Sequence, residues 1–408
     1  MTKALTTNTA QLAFTRIAAS LGHAFTDFLD PVRLNDVADD LRLISKVCVH
    51  DLGLVATSLV LSSFSRSSDS GGRFADARLL YQQLGGPITP EASFRQRAKD
   101  CGDLLFFLFT QRLRFLAKRA APDLRGRLSR FVDLFVTDGS VYKLAASLSD
   151  FLPGTKTKAA FKLHAIYSVK QQAPLSLEFT SGRVHDNSYF PSDVWVKDAL
   201  YLWDLGYDDH HRVVNAIIAG SHFIQPLKSN ANPVVLSYYD KEGKKHTLKG
   251  KKGGKRHLAE VCELEEALQQ MNEMDFDVEL VGEKGKTAIA RVVCVPVNGK
   301  DLYYLTSLPR EQFTPFDVAE IYAVRWEVEL FFKHLKGGVR LDEVRRLSNL
   351  HSLRAITYSS LLASLLSHEI IIAASLQLEP EIADTPPEIK QAIDEKEQKE
   401  PPPAAFSP

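Results

Sequence analysis

The sequence has few cysteines and no cysteine pair. Its four cysteines lie far apart, so neither the C-x-x-C spacing of a structural zinc site nor a disulfide framework is present. The N-terminus has no basic head followed by an apolar run, and a secretory signal is therefore not predicted. Both absences favour a reducing, cytoplasmic location. The cysteines are Cys48, Cys101, Cys262 and Cys294.

The chain also has no excess charge of either sign. Fifty Lys and Arg residues balance fifty Asp and Glu residues, and a net charge of zero at first argues against binding to nucleic acid. The charge is unevenly distributed, however. Residues 378–408 hold eight acidic residues and three lysines, whereas the segments 95–130 and 228–257 each carry a net charge of +7. These two basic segments could neutralise phosphates, although a solvated basic face is an equally good interpretation.

One apolar run is long enough to raise the question of a membrane span. The run Ala355–Leu376 contains Ser364, Ser367, His368 and Glu369 near its middle, and a membrane-spanning helix rarely carries such residues. We therefore predict a buried helix.

The first 128 residues have helical periodicity and little strand character. From Phe131 onward, three apolar segments in succession predict the antiparallel start of a sheet. Helices and strands then alternate, so the predicted fold class is α/β with a mixed sheet. The predicted helices are Asn8–Leu29, Asp36–Val47, Gly53–Ser65, Pro90–Ala120, Ser192–Ala199 and Asp209–Ala219. The predicted strands are Phe131–Asp138, Ala159–Val169, Leu175–Ser181, Tyr201–Asp204 and Phe223–Lys228.

Residues 229–300 interrupt this pattern with short strand segments, Gly-Lys turns and one predicted helix, Leu258–Met271. The α/β pattern resumes with a strand, Leu302–Thr306, and a long helix, Pro315–Lys336. We therefore expect residues 229–300 to be a mostly β insertion.

Two aspartates stand at the ends of predicted strands, Asp138 in VTDGS and Asp204 in WDLGY. Ligands of an α/β sheet bind where its strands end. An Asp at such a place is also a common turn or cap residue, so position alone does not decide between the two interpretations.

The long helix places four functional groups on one face. Tyr322, Arg325, Glu329 and Lys336 fall within an arc of about 60° at 100° per residue. The arc is either a functional face or a surface with an incidental ion pair between Arg325 and Glu329.

Together, the three carboxylates suggest a metal site. Asp138, Asp204 and Glu329 would repel one another at a single site unless divalent cations were bound there. Two Mg²⁺ ions would activate an attacking water or 3′-hydroxyl on a phosphodiester. Arg325 and Lys336 could then hold the non-bridging oxygens.

These residues resemble those of a known family. The spacing Y-x2-R-x3-E-x6-K is matched at every gap by Tyr322, Arg325, Glu329 and Lys336, and the words VTDGS, SGRVHDNSYF, DLGY and YAVRWEVELFFKHLKGGVRLDEV are also similar. The chain resembles DDE transposases of bacterial insertion sequences, in the IS-four family. The resemblance extends over about residues 94–347.

The resemblance implies a ribonuclease H-like catalytic fold with a mostly β insertion. It implies Asp138, Asp204 and Glu329 as the catalytic and metal-binding residues, and Tyr322, Arg325 and Lys336 as DNA contacts. The predicted domains are an all-helical DNA-binding domain (1–128), a first catalytic part (129–228), the insertion (229–300) and a second catalytic part (301–377). The acidic, proline-rich composition of residues 378–408 predicts a disordered tail, where the resemblance implies further helix.

The function that the resemblance implies is cut-and-paste DNA transposition, with cleavage at transposon ends and strand transfer into target DNA. Two Mg²⁺ ions, which Mn²⁺ can replace, would be the cofactors. The partners would be terminal inverted repeats, target DNA and a second copy of the chain in a synaptic dimer, without a membrane. The protein would be cytoplasmic and associated with the bacterial nucleoid.

Two other hypotheses remain open. One is a transposon-derived DNA-binding protein without catalysis, and the other is a sugar or nucleotide enzyme with a closed pocket.

Other residues have two interpretations. His185 and Asp186 are either close to the metals or parts of a structural turn. The cluster Asp208 to His211 resembles a metal site, but an acidic helix N-terminus is the favoured interpretation. Arg95, Arg97 and Lys99 either enter a DNA groove or form a basic rim on a packed helix.

Some relatives hold a flipped base with a tryptophan of the insertion. Trp195, Trp203 and Trp326 of this chain all lie outside residues 229–300. Candidates for stacking on such a base are Tyr238, Tyr239 and Phe276.

Overall fold

A computed structural model describes most of the chain. The described residues are 28–43, 51–65, 72–118, 121, 123–189, 195–228, 230–239, 244–247, 256–262, 274–297 and 300–383. The first predicted helix, Asn8–Leu29, lies almost entirely outside them.

Among the described residues, four α-helices precede the sheet: α1 (Pro31–Asp40), α2 (Leu52–Leu61), α3 (Arg73–Gln83) and α4 (Glu91–Lys118). Asp30 and Asp51 cap the first two by accepting hydrogen bonds from backbone N–H groups, which explains why α1 begins five residues before its predicted start. The predictions for α2 and α4 are confirmed. Helix α3 was not predicted.

The sheet starts as the sequence indicates. Strands β1 (Leu134–Leu144), β2 (Ala159–Ser168) and β3 (Ala173–Ser181) are antiparallel neighbours. Strands β4 (Leu200–Trp203) and β5 (His222–Pro226) then run parallel to β1, with helix α5 (His210–Ile218) between them in sequence.

Residues 195–199 are not helical, so the prediction of a helix from Ser192 to Ala199 is wrong for its described part. Asp198 has a φ of +60°, which is incompatible with an α-helix. Its N–H donates to the carbonyl of Gly220, and its carbonyl accepts from Val132. Contacts across the fold therefore override the local helical pattern.

The described parts of residues 230–306 are mainly strands of the same sheet. The strands are β6 (Val234–Tyr239), β7 (Lys245–Thr247), β8 (Arg256–His257), β9 (Met274–Val281), β10 (Thr287–Val297) and β11 (Lys300–Thr306). Strand β11 pairs with β5, so the sheet continues across to the outer strands in the order β3-β2-β1-β4-β5-β11-β10-β9-β6-β7, with β8 also on β6. The only described part of the predicted helix Leu258–Met271 is α6 (Leu258–Cys262).

Successive side chains of a strand point to opposite faces of the sheet. Each face packs into a core of its own, so both faces are covered. Leu134 and Val136 join the core that also contains residues of α2, α4 and the C-terminal helices, whereas Phe135 and Tyr201 join a second core with α5. The N-terminal helices therefore share a core with the strand that carries Asp138.

The predicted long helix Pro315–Lys336 is divided. Helix α7 (Pro315–Ala323) starts with a capping box between Thr314 and Asp317, and α8 (Trp326–Lys333) follows after a break. At the break the backbone bonds run from residue i to i−3, as in Arg325 N–H to the Tyr322 carbonyl, which tightens the turn. A π-helical turn, His334–Gly338, follows α8.

The last described element is α9 (Leu350–Ala383), which packs along α4. Leu361, Leu362 and Leu365 are fully buried, so the prediction of a buried helix is confirmed for that part of it. The helix runs beyond residue 378, and residues 384–408 of the predicted tail lie outside the described ones.

No helix among the described residues is long and apolar enough to cross a membrane.

Two buried arginines join the N-terminal helices to the segment after α8. Arg73, at the start of α3, donates to hydroxyl and carbonyl groups that include Ser360 of α9. Arg340 pairs with Asp76 of α3 at 2.6 Å and with Glu343 at 2.8 Å, and its φ of +60° is left-handed. Burial first, and then the charge of Arg340, lower the pKa of Arg73.

We expect Arg340→Ala to lower the free energy of unfolding by about 3 kcal/mol, because it removes ion pairs from buried carboxylates. Urea unfolding followed by circular dichroism measures the change. Arg345→Ala, at an exposed position of the same turn, is the control and should leave the midpoint unchanged. Equal midpoints for the two variants would show that the network contributes nothing to stability.

Candidate active site

The first two candidate carboxylates lie side by side. Strands β1 and β4 are parallel, and their pairing ends at Thr137 opposite Trp203. Asp138 and Asp204 are the next residues of the two strands, so the fold brings them to one place. Asp204 lies at the start of a short 3₁₀ turn, Leu205–Tyr207.

Helix α8 packs against β1 and contributes the third carboxylate. Arg325, at the break before α8, donates to Asp138 Oδ2 at 3.2 Å and to Glu329 Oε1 at 2.6 Å. The side chains are largely buried, with exposed fractions of 17% for Arg325, 18% for Asp138 and 33% for Glu329. One guanidinium thus bridges carboxylates that are nearly 200 residues apart in sequence.

The pKa of Asp138 is shifted by its buried position and by the charged groups around it. Burial is the main reason that the pKa of Asp138 is raised to about 6; the Gly139 N–H and Arg325 oppose the shift, while Asp204 and Glu329 add to it. Negative charge at this point is therefore costly, and a positive group stabilises it.

The other two residues of the Y-R-E-K motif lie on either side. The Tyr322 hydroxyl donates to the Trp203 carbonyl at 3.4 Å, and burial is the main cause of its raised pKa. Lys336 is exposed on the π-helical turn, where its Nζ lies 5.5 Å from the ring of Tyr142 on β1. No contact between Lys336 and the carboxylates is seen.

A cavity of about 630 Å³ opens beside the carboxylates. Asp204, Tyr322 and Arg325 form one wall, and Tyr303 and Tyr304 of β11 line another. The opening combines aromatic surface with charges of both signs.

The donor set suits a divalent cation by chemical type, because all three side chains carry hard oxygen atoms. The raised pKa of Asp138 points the same way, since the site favours added positive charge. In the part of the chain that the structure describes, however, no group of three or more His, Cys, Asp or Glu side chains is arranged to hold a metal ion. Arg325 supplies the compensating charge in this geometry.

The candidates for base stacking are otherwise engaged. Tyr238 stacks on His246 with ring centroids 5.0 Å apart, Arg310 lies 3.4 Å above the ring of Tyr239, and Phe276 is fully buried. Phe276 is therefore out of reach of a base, whereas Tyr238 and Tyr239 contact other side chains and base stacking on them stays a prediction. Tyr303 and Tyr304 of the cavity belong to a stretch whose sequence indicates only a strand.

The cluster Asp208 to His211 is a helix start, as the favoured interpretation predicts. Asp209 caps α5 by accepting from the His211 N–H at 2.8 Å, and Asp208 binds Lys228 at 3.1 Å. His185 likewise caps a short turn by accepting from the Asn187 N–H. Asp186, by contrast, faces the strands that carry the aspartates.

Many cations of the basic segments have partners within the protein. Arg97 is buried and lies 3.5 Å from Asp100, and Lys245 lies 2.9 Å from Asp277. For Arg97 the packing interpretation is therefore correct. Further pairs are Arg95 with Glu91, Arg112 with Glu369 and Arg127 with Asp317.

Comparison with known proteins identifies the family. A family model described as a transposase DDE domain matches residues 134–366, which is more than half of the chain. The chain belongs to the DDE transposase family. The matched region contains all six residues of the candidate site.

The individual relatives are similar to this chain either over a short segment or at low identity. The transposase for insertion sequence element IS421 of Escherichia coli is 39% identical over 67 residues, which are 16% of this chain and 18% of that protein. The putative transposase InsL for IS186A of Escherichia coli K12 has the same values. The transposase for IS1151 of Clostridium perfringens is 21% identical over 278 residues, or 60% of this chain and 58% of the relative. The chain thus spans less than two thirds of each of these relatives.

A search of solved structures matches a piggyBac transposase synaptic complex with hairpin DNA. The two chains are 10% identical, with a TM-score of 0.38, and the match covers 95% of this chain and 87% of the other.

The pKa of Asp138 yields a prediction for stability. An unfolded Asp titrates near pH 4 and folded Asp138 near pH 6, so the unfavourable contribution of its charge grows as pH rises through that window. Without metal, Asp138→Asn should therefore stabilise the protein at pH 8, by up to about 3 kcal/mol, and by less at pH 5.

Urea unfolding in EDTA at the two pH values measures this. Asp150→Asn, at an exposed position, is the control and should change neither value. A gain for Asp138→Asn that is equal at pH 5 and pH 8 would contradict the assigned pKa.

Proposed function

We propose that this protein is a DNA transposase that cleaves DNA at transposon ends in a metal-dependent reaction and transfers the strand into target DNA by cut-and-paste. The observation that carries the proposal is the joining of Asp138 and Glu329 through Arg325, beside Asp204, in a member of the DDE transposase family.

The catalytic unit is proposed to be ribonuclease H-like. The order β3-β2-β1-β4-β5, with three antiparallel strands followed by two that are parallel to β1, supports this assignment. The proposed domains remain 1–128, 129–228, the insertion 229–300, 301–377 and the tail 378–408.

Asp138, Asp204 and Glu329 are proposed to hold two Mg²⁺ ions, with Mn²⁺ as a substitute. Such ions activate the attacking oxygen and stabilise the leaving oxygen of a phosphodiester. Arg325 can bind a phosphate oxygen in a bidentate fashion, and the exposed ammonium of Lys336 can bind the DNA backbone as a point charge. Tyr322 would fix the wall against which the DNA lies.

The proposed partners are terminal inverted repeats, target DNA and a second copy of the chain in a synaptic dimer. Because these are intracellular chromosomal partners, the protein is placed in the bacterial cytoplasm, at the nucleoid.

A hairpin intermediate would require an unstacked base to be held near the scissile phosphate. The cavity beside Asp204 has room for a base, and its tyrosines provide aromatic surface for stacking. This cavity takes the place of the stacking residues expected in the insertion.

The alternative, a transposon-derived DNA-binding protein without catalysis, draws support from one observation: Arg325 already compensates the charges of Asp138 and Glu329. The two hypotheses differ in whether cleavage of DNA depends on Glu329.

Glu329→Gln should lower the rate of Mg²⁺-dependent nicking of DNA that contains the transposon ends by at least about 10³-fold. The affinity for that DNA should stay near the wild-type value. Gel assays of cleavage and of binding measure the two effects. Glu327→Gln is the matched control, because Glu327 is exposed on the same helix. Cleavage by Glu329→Gln at the wild-type rate would exclude the proposed mechanism, and no cleavage by the wild type would favour the alternative.

Lys336→Ala should weaken DNA binding about equally for all sequences and lower the slope of log K against log salt concentration by about one, since one phosphate contact is lost. Fluorescence anisotropy over a salt series gives the slope. Lys197→Ala is the control, because Lys197 precedes β4 at the opposite end from Asp204. An unchanged slope for Lys336→Ala would show that this side chain does not contact the backbone.

A further inference from the structure

A single carboxylate lies between the glycines that follow the first two candidate aspartates. Asp186 Oδ1 is 3.3 Å from the place that a methyl group at Gly139 would occupy, and Asp186 Oδ2 is 3.3 Å from the same place at Gly206. Gly139 directly follows Asp138, and Gly206 comes two residues after Asp204. Asp186 therefore lies beside both aspartate-bearing segments.

Asp186 has a fixed partner on the neighbouring strand. Lys162 of β2 donates to Asp186 Oδ1 at 2.9 Å and to the Val184 carbonyl at 3.0 Å, and only 9% of Lys162 is exposed. A buried ammonium with a carboxylate partner strongly favours one position of that carboxylate.

Hydrogen bonds of Tyr207, His164 and Arg212 surround Asp186 and the two glycines. The Tyr207 hydroxyl hydrogen-bonds to His164 Nδ1 at 3.0 Å, and His164 Nε2 bonds to Thr180 at 2.9 Å. A methyl group at Gly139 would lie only 2.9 Å from the Tyr207 hydroxyl. Arg212 donates to the carbonyls of Tyr207 and Asn187, which ties the turn after Asp204 to the turn that begins at Asp186.

The parallel pairing of β1 with β4 stops just before the two aspartates. It ends at Thr137 and Trp203, one residue before each of them. Beyond that point, Asp186 lies between the two segments, beside Gly139 and Gly206.

We propose that Asp186 is a positioning residue that sets the separation of Asp138 and Asp204 by filling the space between Gly139 and Gly206. The inference rests on the proposed function. It also explains why both segments carry a glycine, since a side chain at either position would push against Asp186.

Gly206 offers a direct test. Each of the three nearest atoms to a methyl group there belongs to Asp186, at 3.3, 3.6 and 3.8 Å. Gly206→Ala should therefore push Asp186 aside by a few tenths of an ångström and reduce kcat for end cleavage by about 3- to 10-fold, since a full shift of about 1 Å at reacting groups costs about 10²-fold. In an Asp186→Ala background, the added methyl group has room, and Gly206→Ala should cause no further loss.

Three readouts separate positioning from general stability. The substitutions should lower kcat and leave KM for the DNA within about twofold. They should also weaken Mn²⁺ binding, measured by electron paramagnetic resonance, and Gly206→Ala should weaken it only when Asp186 is present. Asp186→Asn, which keeps the shape, should lose less than Asp186→Ala. Gly337→Ala, where a methyl group meets nothing within 4 Å, is the control and should keep wild-type kcat.

The proposal is overturned if Gly206→Ala has the same effect in both backgrounds, or if Asp186→Ala keeps wild-type kcat and Mn²⁺ affinity. A wild-type protein that binds Mn²⁺ but does not cut DNA would contradict the proposed function alone, because the coupling in Mn²⁺ affinity would still be measurable.

Discussion

The ion pairs of Arg325 with Asp138 and Glu329 are the interaction on which the site depends. Three carboxylates from a strand, a strand end and a helix approach one another in a half-buried place, where their charges would otherwise repel. Arg325 reaches Glu329, four residues further along the chain, and Asp138 on β1.

The segment α7–α8, which carries Glu329, has contacts with distant parts of the chain at both ends. At the start of α7, Asp317 closes the capping box with Thr314 and also binds Arg127. After the end of α8, Arg340 binds Asp76 of α3, more than 260 residues away in sequence. Because Arg340 and Asp76 are buried, a disturbance of the N-terminal helices would reach α8 through one core. Folding of the two halves of the chain is therefore expected to be mutually dependent.

The local features of the fold could be predicted from sequence, and the long-range ones could not. Alternation along β1 and the fixed spacing from Tyr322 to Lys336 are visible in a linear pattern. The φ of +60° at Asp198 depends on hydrogen bonds to Val132 and Gly220, which no local pattern contains. Helix α3 was missed for a related reason. Its buried polar residues, Arg73 and Asp76, resemble an exposed turn until their distant partners are known.

The site residues followed from a motif, while their arrangement did not. Spacing on one helix predicts a shared face for Tyr322, Arg325, Glu329 and Lys336, but Lys336 lies two turns after Glu329, on the π-helical turn, and makes no contact with the carboxylates. The sequence around Asp186 is compatible with a turn or with a role near the site. Only the folded strands place Gly139 and Gly206 on either side of it.

Charge counting along the sequence overstated the positive surface. Arg97, Arg112 and Lys245 belong to segments of net charge +7, yet each has an acidic partner in the fold. On the proposed function, phosphate binding would depend on cations that are exposed, such as Lys336, or that can exchange partners. Arg325 is of the second kind. As long as Asp138 and Glu329 need its charge, the guanidinium is held by them. When their charge is compensated in another way, the guanidinium is free to bind a phosphate oxygen, so on the proposed function the contact with DNA and the neutralisation of the carboxylates are coupled through one side chain.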